Sequence, residues 1–205
     1  MVLDNDAISQ SLPFYLTAED KSVLVRELET ISRGGSANYY LSKFDDKFAN
    51  EMLQGDGWQG FDFFLFDSGS RRSVRGIVLS NSCDIDPANK RERPPRVVFA
   101  PIVKLSAAEN VLKQNRVEPE KIEAQLSAIR AQKNTSCFYL PKNEVLEDEC
   151  LVRLDDVHSI PFNSFFKNKV RKKMFTLSNT GFYMFVLKLS VHFCRLQENV
   201  QRQNR

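Results

Sequence analysis

The sequence predicts an α+β protein built around a small β-barrel, and three observations carry that expectation. Short β-branched and aromatic runs between 53 and 105 are punctuated by Gly, Asp and Pro, as in a compact sheet or barrel. A stretch of helical periodicity, 106–133, interrupts these runs before strand patterns return. A long apolar helix pattern then closes the chain. At 205 residues the chain is long enough for one well-buried domain. We read 1–205 as a single domain: a helical segment 1–49, a barrel 50–162 holding the insertion, and a basic segment with the closing helix over 163–205.

The elements follow in order. Thr17 and Asp20 resemble a capping box, Val23, Leu24, Leu28 and Ile31 recur at helical spacing, and Gly34 and Gly35 end the run. This predicts a helix over 18–32, preceded by a peptide, 11–16, whose rings pack on the main body. After a turn at 54–57, Phe61-Asp-Phe-Phe-Leu-Phe66 reads as an aromatic strand and Arg75-Gly-Ile-Val-Leu-Ser80 as the next. A polar loop, 81–95, leads into a third strand, 96–105. Within the insertion, 107–114 is one helix, and Pro119 opens a second with Ile122, Leu126 and Ile129 on one stripe. Strands return at 136–140 and 149–154. The last helix starts at the capping residues Ser178 and Asn179 and runs to Val200. Its apolar face holds Phe182, Phe185, Val186, Leu189, Phe193, Leu196 and Val200, and the tail 201–205 should fray.

Composition narrows the functions. The hydrophobic share of 42% and charged share of 27% are those of a globular protein, and sixteen Phe predict a core filled by rings. A net charge of +3 does not by itself point to nucleic acid, so local clusters must carry that case. The polar, acidic opening predicts no secretory leader, and no apolar run reaches the length of about 20 residues that spans a bilayer. A soluble cytoplasmic protein is expected. Cys83, Cys137, Cys150 and Cys194 form no CxxC pair; they read as reduced, mostly buried thiols, and no metal or cofactor is expected.

Three phrases carry a family resemblance. Arg75-Gly-Ile-Val-Leu-Ser80, Val97-Val-Phe-Ala-Pro-Ile102 and Leu154-Asp-Asp-Val-His-Ser-Ile160 resemble, in order and spacing, strands and a turn of the PemK/MazF class of SH3-like barrels. These are toxins of toxin–antitoxin pairs, and the resemblance covers about half the chain. It implies an SH3-like barrel, often a homodimer, and in active members a metal-independent ribonuclease whose catalytic Arg falls on Arg72 or Arg75. Val103 stands where active members commonly carry Thr. Valine cannot donate a hydrogen bond to a scissile phosphate, so strong catalysis is not expected.

Further candidates come from the residues alone. Ser80-Asn-Ser-Cys-Asp-Ile-Asp86 gathers a thiol and two carboxylates at a strand end. Cys83 there could act as nucleophile or sensor with His158 or His192, with Asp84 beside it; the better reading is a turn whose polar side chains bond the backbone. His158 sits beside Asp155 and Asp156, and His192 at the edge of an apolar face, so local hydrogen bonds explain both. Trp58 reads as a barrel-lid residue. Lys167-Asn-Lys-Val-Arg-Lys-Lys173 places five cations in seven residues, flanked by Phe165, Phe166 and Phe175. Arg71, Arg72 and Arg75 form a second cluster, and Lys90, Arg91, Arg93 and Arg96 a third. Convergence of these clusters on one face would make a nucleic-acid groove, with the rings stacking on bases of RNA or single-stranded DNA. The expected contacts are Arg71, Arg72, Arg75, Lys169, Arg171, Lys172 and Lys173. Three functions therefore stand, in this order. The first is a non-catalytic or weakly catalytic nucleic-acid-binding barrel of a bacterial toxin or phage-defence system. The second is a protein-interaction or small-molecule-sensing module with a pocket at 80–86, and the third a metal-independent endoribonuclease.

Overall fold

The computed structural model describes residues 38–41, 48–65, 68–144 and 146–193, together with Ser22, Val25, Arg26 and Thr30. Those last four belong to the helix expected over 18–32 and all are helical. The rest of that segment, the peptide 11–16, Cys194, Leu196, Val200 and the tail lie outside the described residues.

Among the described residues seven strands form one antiparallel sheet: β1 (Gly57–Leu65), β2 (Ser70–Val78), β3 (Arg96–Lys104), β4 (Cys137–Leu140), β5 (Cys150–Arg153), β6 (His158–Pro161) and β7 (Lys172–Phe175). With it go the helices α1 (Ser82–Ile85), α2 (Leu105–Gln114), α3 (Pro119–Arg130), α4 (Phe162–Lys167) and α5 (Asn179–Phe193). The strand order is β4-β5-β3-β2-β1-β7, and β6 joins the first half of β3 while β5 joins its second half.

The chain is α+β as expected, but the barrel is not closed. Closure requires the end strands to meet at a matching stagger, and among the described residues no pairing joins β4 to β7. Rings occupy the seam instead. Tyr40 meets Phe175 of β7 edge-on at 5.1 Å, and Tyr39 meets Phe138 of β4 at 6.0 Å. Phe185 of α5 lies 5.3 Å from Phe138. With backbone bonds replaced by aromatic packing, the sheet stays open and α5 covers the opening.

The insertion forms as predicted, with Ile122, Leu126 and Ile129 of α3 buried against Leu105, Cys137 and Leu151. Ser178 caps α5 by accepting from the amide of Gly181. Phe185 is fully buried, but Phe193 is 59% exposed, contrary to its expected place on the buried face. Four elements had no forecast: α1, β6, α4 and β7. Strand β7 lies inside the basic segment, and β1 begins at Gly57, four residues before the expected aromatic run. Among the described residues no helix is long and apolar enough to cross a membrane.

Candidate functional site

Strand geometry first divides the arginines. Side chains alternate across a strand, so Arg71 and Arg75 share a face with Ile77, while Arg72 shares the other with Val74 and Val78. The two faces meet different clusters: Ile77 packs with Ile102 and Phe175, and Val78 with Phe61 and Phe99. The expected Arg71–Arg72–Arg75 cluster is therefore split.

The Arg75 face gains a neighbour from the end of the chain. Arg75 is the cross-strand partner of Gln59, and Gln59 is the partner of Lys172 on β7. Two strand spacings, about 10 Å, thus separate the backbones of Arg75 and Lys172. On the opposite flank Arg75 reaches the Cys150 thiol, and Lys104 pairs with Asp148 at 2.6 Å. Burial pushes the Cys150 thiol up, against the pull of Arg75, and the Lys104 ammonium holds the Asp148 carboxyl below its usual range.

The basic segment docks beside this row. Gly60 has φ +99 in the β1 bulge, and a Cβ there would stand 2.8 Å from the Arg171 Cα. Asn168 donates to the Gly60 carbonyl at 2.9 Å, anchoring the loop. Lys167, Lys169, Arg171 and Lys172 are exposed, and Arg171 donates to the Phe166 carbonyl while stacking 5.1 Å from its ring centroid.

Lys173 departs from expectation. Its side chain is only 5% exposed, and its ammonium pairs with fully buried Asp56 at 2.7 Å. It also donates to the carbonyls of Phe48 and Glu51 and lies 5.7 Å from the Trp58 ring centroid. Burial raises the Asp56 carboxyl, opposed chiefly by Lys173. Lys173 therefore belongs to the interior, because β7 needs an inward-facing residue opposite Trp58, and it leaves the set of anion contacts. The flanking rings leave it too: Phe165 and Phe175 are buried, and Phe166 is sandwiched by Phe162 and Arg171. Stacking on bases loses its platform. Trp58, expected as a lid, is a core residue edge-on to Phe165.

The third basic cluster lies elsewhere. Ala100 faces Ile77 and Phe99 faces Val78, so Arg96 sits past the C-terminal end of β2, away from Arg71 and Arg75. Arg96 is held by Ser159, and Arg91 donates to the Cys83 carbonyl and meets Asp84 at 3.9 Å. The three clusters do not converge as one groove; parts of two do.

The 80–86 loop is bonded both to itself and to its neighbours. The Asn81 side chain accepts from the Cys83 amide, and the Ser82 hydroxyl accepts from the Gln54 amide. Cys83, Asp84 and Asp86 are exposed. The imidazoles are engaged elsewhere: His158 bonds Asp156 at 2.9 Å and stacks on Phe99, and the His192 Nδ1 donates to the Thr135 carbonyl at 3.0 Å. Among the described residues no three His, Cys, Asp or Glu side chains gather as a metal site. Val103 pairs with Leu151 and packs under the insertion helices, on the face away from Ile102 and Arg75. Even a hydroxyl there would not reach an anion held by Arg75.

No protein-family model and no curated relative matches this chain. The Lys172–Gln59–Arg75 row and the Asp56–Lys173 pair escaped sequence reasoning, because both depend on β7 joining β1. One signal was available: Arg71 and Arg72 are adjacent, so a strand there must point them apart.

Proposed function

We propose that this protein binds nucleic acid without strong catalysis, through the face that holds Arg71, Arg75 and Lys172 and the adjoining loop of Lys167, Lys169 and Arg171. One observation carries the reading: two basic segments about a hundred residues apart in sequence meet in a single cross-strand row around Gln59. Cations at this spacing repel one another unless an anion or salt neutralises them. A phosphate backbone supplies that charge along a line. Weak catalysis follows from Val103, which brings no donor and lies on the wrong face.

The same reading treats the sheet as an opened relative of the PemK/MazF barrel, acting in the cytoplasm within a toxin or phage-defence system. The adjacency of the three resembling phrases supports it. The first two pair as β2 and β3, and the third leads into β6, which also pairs with β3. A sensing pocket at 80–86 gains no comparable support, since Ser80, Ser82 and the Cys83 carbonyl are already bonded to Val98, Gln54, Asn89 and Arg91.

Fluorescence anisotropy against RNA, single-stranded DNA and duplex DNA, from low to moderate salt, tests the proposal. Changing Lys169, Arg171 and Lys172 to Ala should weaken binding to all sequences alike. The slope of log K against log salt should flatten by roughly two units. Absence of binding to every nucleic acid at low salt would refute it.

A further inference from the structure

The hairpin of β1 and β2 runs past its neighbours. Strand β7 pairs with β1 at 57–59 and β3 pairs with β2 at 76–78. Beyond these, five further pairs join β1 to β2 alone, from Phe61–Val74 to Leu65–Ser70. These five pairs make a two-stranded ribbon about 17 Å long, and residues 68–73 are all exposed.

The two faces of the ribbon differ. One leans on the body, where Phe63 lies 4.8 Å from the His158 ring. The other presents Arg71 and Ser73 and a half-exposed Phe64, and it continues without a break into Arg75, Gln59 and Lys172. Asp62, the acid of this face, is occupied by the Asn168 amide at 3.3 Å. The outward face therefore carries Arg71, Arg75, Lys172 and the exposed Gln59 carboxamide against two carboxylates, Asp62, engaged by Asn168, and Asp148, which faces Arg75 and Lys104.

We infer that this ribbon lies face-on in the major groove of B-form duplex DNA, with Arg71 and Gln59 reading base edges. The inference rests on the nucleic-acid reading above and names its ligand. The major groove, about 12 Å wide, admits a two-stranded ribbon. The side chains on the outward face match its chemistry: an arginine fork meets guanine O6 and N7, and a glutamine amide meets adenine N6 and N7. Lys172, Lys169 and Arg171 at the ribbon's root supply phosphate contacts, which position but do not specify. With the rings of the basic segment buried or covered, a splayed single strand would find only Phe64 to stack on along this face, whereas base–aromatic binding uses a series of rings, so a duplex is the better fit. Arg72 is a built-in control, since it lies on the opposite face.

The test is selection from a random duplex library, followed by dimethyl sulfate probing of guanine N7 on the enriched sequence. The expected result is a motif containing guanine and adenine, with N7 protected. Arg71→Ala and Gln59→Ala should each cost about tenfold or more on that motif, while binding to other sequences falls only slightly for Arg71→Ala, by the loss of one charge, and stays the same for Gln59→Ala. Arg72→Ala should change neither. Nucleic-acid binding with no enriched motif, with unprotected N7, or with Arg72→Ala as harmful as Arg71→Ala would overturn the ribbon inference and leave the proposed function standing. No binding to any nucleic acid would overturn both.

Discussion

Two buried lysines solve the same problem in different regions of the molecule. Lys173, in the β1–β7 seam, meets the carboxylate of Asp56 at 2.7 Å and two backbone carbonyls. Lys188, on α5, is 7% exposed and meets carbonyls alone, those of Gln132 and Asn134 just past the C-terminus of α3. A carboxylate offers a full opposing charge. The carbonyls at a helix end offer only partial charge. Accordingly, burial pushes the Lys188 ammonium down to about 8. The comparison teaches that a buried cation is judged by its partner: the first closes a strand seam, and the second pins a helix to a loop, with His192 one turn on bonding the same loop at Thr135.

The largest expected effect is at the seam. Asp56→Ala should lower unfolding free energy in urea by about 3–5 kcal/mol, because it leaves the Lys173 charge buried and unpaired. Asp56→Leu combined with Lys173→Met should recover much of that loss. A double variant as unstable as the single one would show that the pair matters for packing rather than charge.

At α5 the contrast appears as pH dependence. Between about pH 8 and 10.5 the unfolded chain keeps the proton that folded Lys188 has released. Stability therefore rises with pH across that window, and the gain is lost as pH falls through 8. The full increment is about 3 kcal/mol. Urea unfolding at pH 7.5 and 10 should show most of it in the native chain relative to Lys188→Met. Parallel pH profiles for the two would show that carbonyls stabilise the ammonium as well as Asp56 stabilises Lys173.

A smaller effect is expected where the exposed half of the basic segment docks. Gly60→Ala adds a Cβ at φ +99 against the Arg171 backbone and should cost about 1–3 kcal/mol. Smallest of all, Lys169→Ala with Lys172→Ala should change stability by no more than about 0.5 kcal/mol. Thermal unfolding reads both. A large loss in the last variant would mean that these cations, like Lys173, are held inside.

Much of the fold was legible along the chain because the signals are local. The α3 stripe of Ile122, Leu126 and Ile129 needs only helical periodicity, and Pro119 and Ser178 mark helix starts by backbone chemistry that no distant residue alters. Phe61 and Val97 likewise announced strands through propensity and the turn residues between the runs. The candidate site was legible only as composition: the basic residues were visible, but not which of them would meet. That depended on contacts between segments about a hundred residues apart. Once β7 pairs with β1, the register sets Lys172 beside Gln59 and Arg75, and it turns Lys173 inward to Asp56. Whether the sheet would close was equally non-local, since Tyr39, Tyr40 and Phe185 fill a seam that backbone pairing leaves open. Local chemistry chose the elements; register and burial decided which charges face water and which face one another.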